Sequence, residues 1–323
     1  MKLGLFTVPL GDLPLPEALE YATSLGCGVV ELGAGGYPGR DHCDPKGLLA
    51  NPEALEDFKR TVAESGVGIS ALSCHGNPLH PDQSLARTHD EDFRNAVRLA
   101  SELEVDTVVT FSGCPGDSEG SERPNWVTCA WPPDFLEILE WQWNEKVAPY
   151  WQEASGFAGE HGVKVAIEPH PGFVVYNTGT FRRLRALAGD DIGVNLDPSN
   201  LFWQRIDPVA CAGELGDAIF HVHAKDTGLN PDRVAMDGVL DTKEHTPDGE
   251  RAWVYKVVGR GHGEDFWGAL IQTLYNVGYE GAISIEHEDL AVDPKAGFGE
   301  AADLLSSALG NIETTPGRRD QEV

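Results

Sequence analysis

The sequence predicts a (β/α)8 barrel built as a single domain. Three observations carry this. Eight short apolar, often β-branched runs recur along the 323 residues. Amphipathic stretches separate them, and chemistry-bearing polar residues gather just after the runs rather than before them.

The runs, in order, are Lys2–Thr7, Val29–Gly33, Gly68–Gly76, Thr107–Gly113, Val163–Pro171, Ile192–Asn200, Ile219–Asp226 and Ala282–Asp289. The first intervening stretch, Leu15–Gly26, has apolar residues at helical spacing and ends on glycine. The second, Asn51–Gly66, opens with Asn as N-cap and Pro at the first helical position. Helical patterns follow in DEDFRNAVRLASELEV, DFLEILEWQWNEKVAPYWQEASGFAGEHG, NTGTFRRLRALAG, DPVACAGELGD, EDFWGALIQTLYNVG and GFGEAADLLSSALGNIE. A doubly wound open sheet is the competing architecture, but no G-x-G-x-x-G follows the first run. The barrel is expected over residues 1–312, with a disordered tail at 313–323.

Three segments exceed the repeat: Asp41–Leu49, Pro115–Pro133 and Thr227–His262. Each follows a strand, so each is expected on the C-terminal face, where barrels of this kind build their sites.

Composition limits the function. The chain is 41% hydrophobic and 24% charged, as in a protein with a sizeable core. No apolar run reaches the roughly 18 residues of a membrane span, and the N-terminus lacks a signal-peptide pattern. The net charge of −28 disfavours nucleic acid, whose phosphates call for a basic footprint. It fits a strongly solvated surface of the kind suited to high salt. The six cysteines form no C-x-x-C pair, which points to free buried thiols and a cytoplasmic protein.

Side chains at the strand ends converge on one centre. Those with ionisable groups are Glu31, His75, Glu168, His170, Asp197, His221, His223, Glu286, His287 and Glu288. Four strand ends carry Glu, Asp, His and Glu in order. Several buried carboxylates in one cavity imply a cation or protonation. Three carboxylates with one imidazole suit Mn2+, Mg2+ or Co2+, with Zn2+ also accommodated. Residues i and i+2 share a face of a strand, so His223 lies nearer the open end and His221 one layer down. The alternative for each is structural: a salt-bridged carboxylate, a turn-starting Asp197 or a hydrogen-bonded core histidine.

The pieces SCHGNPLHP, IEPHPG, NLDPSN, HVHAKD, GRGHGED and SIEHED stand in order at these strand ends. Here the sequence resembles the xylose isomerase-like family of sugar isomerases and epimerases, over about residues 1–312. The resemblance implies a divalent metal, Mn2+ foremost, held by Glu168, Asp197, His223 and Glu286. It implies that Glu168 and Glu286 act as acid and base on a sugar or sugar phosphate through an enediolate. Dimers or tetramers are common in the family. Asn200 stands where members often carry His, which disfavours the DNA-cleaving relatives that need extra histidines.

Substrate contacts are expected from Glu31, His75, His170, Asn200, Lys225, Arg260 and His262. Lys225 and Asp226 are alternatively an ion pair bracing the strand end. Trp126, Trp131 and Trp203 would give either a stacking wall or lid packing. The long segment after the seventh strand also resembles metal-dependent lyases acting on oxidised glycosides. A lyase or dehydratase therefore remains the second reading, and a non-catalytic sugar-binding subunit the third.

Overall fold

The computed structural model describes residues 1–246 and 250–313. Eight parallel strands close into a barrel. They are β1 (Lys2–Phe6), β2 (Val29–Gly33), β3 (Gly68–Ser73), β4 (Thr107–Thr110), β5 (Lys164–Ile167), β6 (Ile192–Leu196), β7 (Ile219–Ala224) and β10 (Ala282–Ile285). β1 pairs with both β2 and β10, which seals the sheet and leaves it no edge. All eight expected runs are strands. Beyond Glu313, the expected tail lies outside the described residues.

Helices pack outside the barrel. Leu15–Ser24 ends before Gly26, whose φ of +77° is the left-handed conformation that glycine adopts at no steric cost. Pro52–Ser65 is capped by Asn51, whose side chain accepts from the Glu53 and Ala54 amides. The long pattern after β4 is one helix from Asp134 to Glu160 with a π-helical stretch at Gln142–Val147. Trp143, Trp151, Trp267, Phe93, Phe181 and Phe298 fill the space between helices and barrel and are fully buried.

Inside the barrel the layers differ. Ala71, Val109 and Ala166 form an apolar plug with Phe220 against it. A register shift makes this packing compatible with the polar layer above. Val194 pairs with Ile219 and Asn195 with His221, so Phe220 is an extra residue in β7. Phe220 and His221 are therefore both directed inward although they are consecutive. Gly193 on β6 makes room, since a Cβ there would collide with the Phe220 ring.

The segment after β7 folds into an antiparallel hairpin of β8 (Asp226–Leu229) and β9 (Trp253–Lys256), with a helix at Pro231–Asp237 between them. Asp226 anchors it. This fully buried carboxylate accepts the amides of Thr227, Gly259, Gly261 and His262, and its Oδ1 lies 2.8 Å from His262 Nδ1. Gly261 permits that approach, because a Cβ there would lie 2.5 Å from the Thr227 carbonyl oxygen. The expected Lys225–Asp226 ion pair is thus corrected: Asp226 is spent on backbone amides. No helix among the described residues is long and apolar enough to cross a membrane.

Candidate metal and substrate site

β2, β7 and β10 build the base of the site. Glu31 on β2 is fully buried and bound from all sides. Ser284 donates to it at 2.6 Å, Ser73 donates to it as well, and His221 Nε2 lies 2.8 Å away. His223 Nε2 lies 2.9 and 3.0 Å from its two oxygens. Burial alone would raise the Glu31 carboxyl, but the charges of His223 and His221 hold it well below the usual range. Glu31 is therefore an anion that accepts Nε2–H of His223, and it turns Nδ1 toward the strand ends.

Two carboxylates meet Nδ1 there, with Asp197 close by. Glu286 Oε2 lies 2.9 Å from Nδ1 and Glu168 Oε2 3.3 Å. One ligand atom each from Glu168, Asp197 and His223 fall within 4.8 Å of one another. Asn200 Nδ2 bridges Glu168 Oε1 at 2.9 Å and Asp197 Oδ2 at 2.8 Å. Asn195 Nδ2 donates to Glu168 Oε2 at 2.8 Å, and His75 Nε2 reaches the same oxygen at 3.0 Å. Asp197 also caps the short helix Pro198–Phe202 through the Ser199 amide.

The electrostatics of this cluster are unusual. Burial, and then the Glu168 charge, push the Asp197 carboxyl well above its ordinary pKa. Burial pulls His223 down, yet Glu31 and Glu286 outweigh it and hold the imidazole well above its ordinary value. Without a cation, protons compensate the crowded carboxylates. Glu286 Oε2 is buried and receives no hydrogen bond of good geometry. Three carboxylates, that orphaned oxygen among theirs, and one imidazole nitrogen fit a divalent cation. A second trio, Glu31, His221 and His223, is also close enough to hold an ion. Its carboxylate is already satisfied by two hydroxyls and two imidazoles, so that lower cluster is a closed hydrogen-bonded network.

Above the carboxylates lies a cavity of about 330 Å³, lined by Phe6, Val8, Tyr37, Pro38, His75, Phe111, Glu168, His170, Phe173, Lys225, Glu286 and Glu288. All of these lie at or just past strand C-termini. Phe6 stacks on the His223 ring at 5.6 Å and Phe111 on Phe173 at 4.3 Å. A larger cavity of about 480 Å³ opens at the opposite end of the barrel. The candidate donors gather at the strand C-termini, so size alone does not select the site.

The expected residues separate into groups. Glu168, Asp197, His223 and Glu286 come together. His75, His170 and Lys225 line the cavity beside them. Glu31 lies beneath, against the imidazoles. Asn200 is fully buried and occupied by two carboxylates, so it braces them and does not face the cavity. Arg260 is not at the site: its guanidinium pairs with Glu300 at 2.7 and 2.9 Å. His262 stacks on Phe202 at 3.6 Å and holds Asp226, so it is an anchor of the hairpin. Trp203 stacks on Trp253 at 4.7 Å as hairpin packing, Trp126 meets Tyr176 edge-on, and Trp131 is exposed.

Sequence reasoning missed Asn195, Ser73, Ser284 and the aromatic wall. Asn195 stands two residues before Asp197, so strand alternation alone could have found it. Phe111 and Phe173 carried no such signal.

A family model described as xylose isomerase-like TIM barrel matches residues 19–308. The uncharacterized protein YfiH of Bacillus subtilis (strain 168) is 37% identical over 312 residues, covering 96% of this chain and 99% of that protein. A D-tagatose 3-epimerase-like protein matches with a TM-score of 0.64 at 18% identity, over 96% of this chain and 97% of that one. The IolI protein, in a crystal structure with a zinc atom, matches with a TM-score of 0.65 at 17% identity, over 98% of this chain and 100% of that one. At these identities the two solved structures demonstrate the shared fold.

Proposed function

The chain belongs to the xylose isomerase-like TIM barrel family, and from that premise we propose a divalent-metal-dependent isomerase or epimerase of a small keto-sugar or sugar derivative. One observation carries the reading: Glu168, Asp197 and His223 offer ligand atoms within 4.8 Å of one another, and Glu286 Oε2 lies 2.9 Å from Nδ1 of His223, beside an aromatic-walled cavity of about 330 Å³, a volume suited to a monosaccharide-sized ligand. These four would hold the ion, with Mn2+ the first choice. The likeness to an epimerase-like protein and to a zinc-bearing structure supports a divalent metal without selecting Mn2+.

When bound, the ion would act as a Lewis acid toward a carbonyl and its neighbouring hydroxyl. The chain supplies the rest. Glu168 and Glu286 reach the cavity from β5 and β10, so each carboxylate can take or return a proton on carbon beside a carbonyl. His75 and Asn195 donate to Glu168, and Lys225 donates to Glu286 at 3.2 Å, which fixes the rotamer of each. Phe111 and Phe173 give the C–H face of a sugar a surface and exclude water from the base.

The test is proton exchange. The Mn2+-loaded protein is incubated with a panel of ketoses in D2O and followed by NMR. Deuterium entering at the carbon beside the carbonyl, with no loss of water from the sugar, supports the reading. An unsaturated product would support a lyase instead. No exchange with any ketose would sink the isomerase assignment.

A further inference from the structure

Lys225 is the one lysine or arginine among the described residues that line the cavity. Its side chain is 4% exposed, and its ammonium group lies 4.3 Å from the centroid of the Tyr255 ring. Nζ is 2.8 Å from Glu288 Oε2 and 3.2 Å from Glu286 Oε1. Two carboxylates therefore share one ammonium. The cavity histidines offer an anion little: His75 Nε2 is taken by Glu168, and His170 Nδ1 by the Pro171 carbonyl at 2.6 Å.

A divalent ion does not reverse the balance. Three carboxylates around it leave one negative charge in excess, and Lys225 and Glu288 cancel each other. Beyond the ion itself, a phosphate or carboxylate ligand calls for a guanidinium, a free ammonium or convergent amides. The remaining wall is Phe6, Val8, Tyr37, Pro38, Phe111 and Phe173. The chain's net charge of −28 further repels an approaching anion.

We propose that Glu288 determines specificity: by pairing with Lys225 it withholds the cavity's ammonium from anions, so the site takes uncharged keto-sugars and rejects sugar phosphates and sugar acids. The substrate class rests on the isomerase reading; the anion exclusion does not. Glu288 is well placed to act this way. It stands two residues beyond Glu286, both carboxylates contact Lys225, and its half-exposed side chain meets both the cavity and solvent.

The experiment compares the wild type, Glu288→Gln and the double variant Glu288→Gln with Lys225→Met, each with one equivalent of Mn2+. Calorimetric titration with D-fructose 6-phosphate and with inorganic phosphate reads anion affinity, and circular dichroism checks the fold. The expected result is at least tenfold tighter binding of D-fructose 6-phosphate by Glu288→Gln than by the wild type, with reversion in the double variant. Wild-type binding as tight as that of Glu288→Gln, or a gain that survives removal of Lys225, overturns the proposal. If Glu288→Gln gains the phosphate while no uncharged ketose exchanges its proton, the isomerase reading fails and the anion exclusion stands.

Discussion

Nε2 of His223 lies 2.9 and 3.0 Å from the two carboxylate oxygens of Glu31. This contact fixes which nitrogen of the imidazole faces the carboxylates above. A carboxylate behind a ligating histidine typically raises metal affinity about 10–100-fold by orienting the ring and raising its basicity. Glu31→Gln is nearly isosteric but neutral. Mn2+ affinity measured by calorimetry should fall about 10–100-fold. Affinity within twofold of wild type would show that Glu31 serves the barrel core alone.

Glu286 is proposed as both ligand and proton carrier. Glu286→Gln keeps the shape and removes the basic oxygen. Loss of one acid–base group costs about 100-fold to 10,000-fold in rate. Turnover of the best ketose should drop by at least that range, and Mn2+ binding should weaken in the same variant. Near-normal activity would remove Glu286 from the mechanism.

Metal binding should depend on pH with a definite sign. The metal-free fold holds protons on Asp197 and His223, whose pKa values are raised. Each contributes stability that is complete below its unfolded value, about 4 for Asp and 6.5 for His, and is lost as pH rises through the raised one. The lowered Glu31 and Glu168 act the other way, but only at acid pH, where they protonate. Between about pH 5.5 and 8, the metal-free protein should therefore lose stability as pH rises. An ion displaces those protons. The gain in Tm on adding Mn2+ should grow across that interval; a gain that shrinks would contradict the charge assignment.

Thiol chemistry offers an independent check on packing. Cys27, Cys43, Cys74, Cys114 and Cys211 are buried, and Cys129 is exposed. Burial pushes the Cys27, Cys43 and Cys114 thiols up to about 12. At pH 8 only about one in ten thousand of each would be thiolate, the reactive form. Titration with a disulfide reagent should label one thiol rapidly in the native protein and all six after unfolding. Rapid native labelling of several thiols would contradict the described core.

Much of this was legible in the sequence because two periodicities carry it. Strand alternation with helices gave the barrel, and the i, i+2 rule placed His223 above His221. What escaped depended on local irregularity or distant pairing. The extra residue at Phe220 breaks strict alternation. The β8–β9 hairpin lies inside a segment that reads as a polar loop. Arg260 and His262 come from a glycine-rich segment whose path is set by Asp226, a contact that spacing cannot reveal. Asn200 is expected to face substrate because it stands where members of the family often carry His. The turn of Pro198–Phe202 instead directs its amide onto Glu168 and Asp197.

The most direct test is a crystal structure of the Mn2+-loaded protein with anomalous data at the manganese edge. The account predicts one strong peak in contact with Glu168, Asp197, Glu286 and Nδ1 of His223, and none between Glu31 and His221. A peak on Glu31 and His221, or no peak at the four-residue cluster under saturating Mn2+, would contradict it.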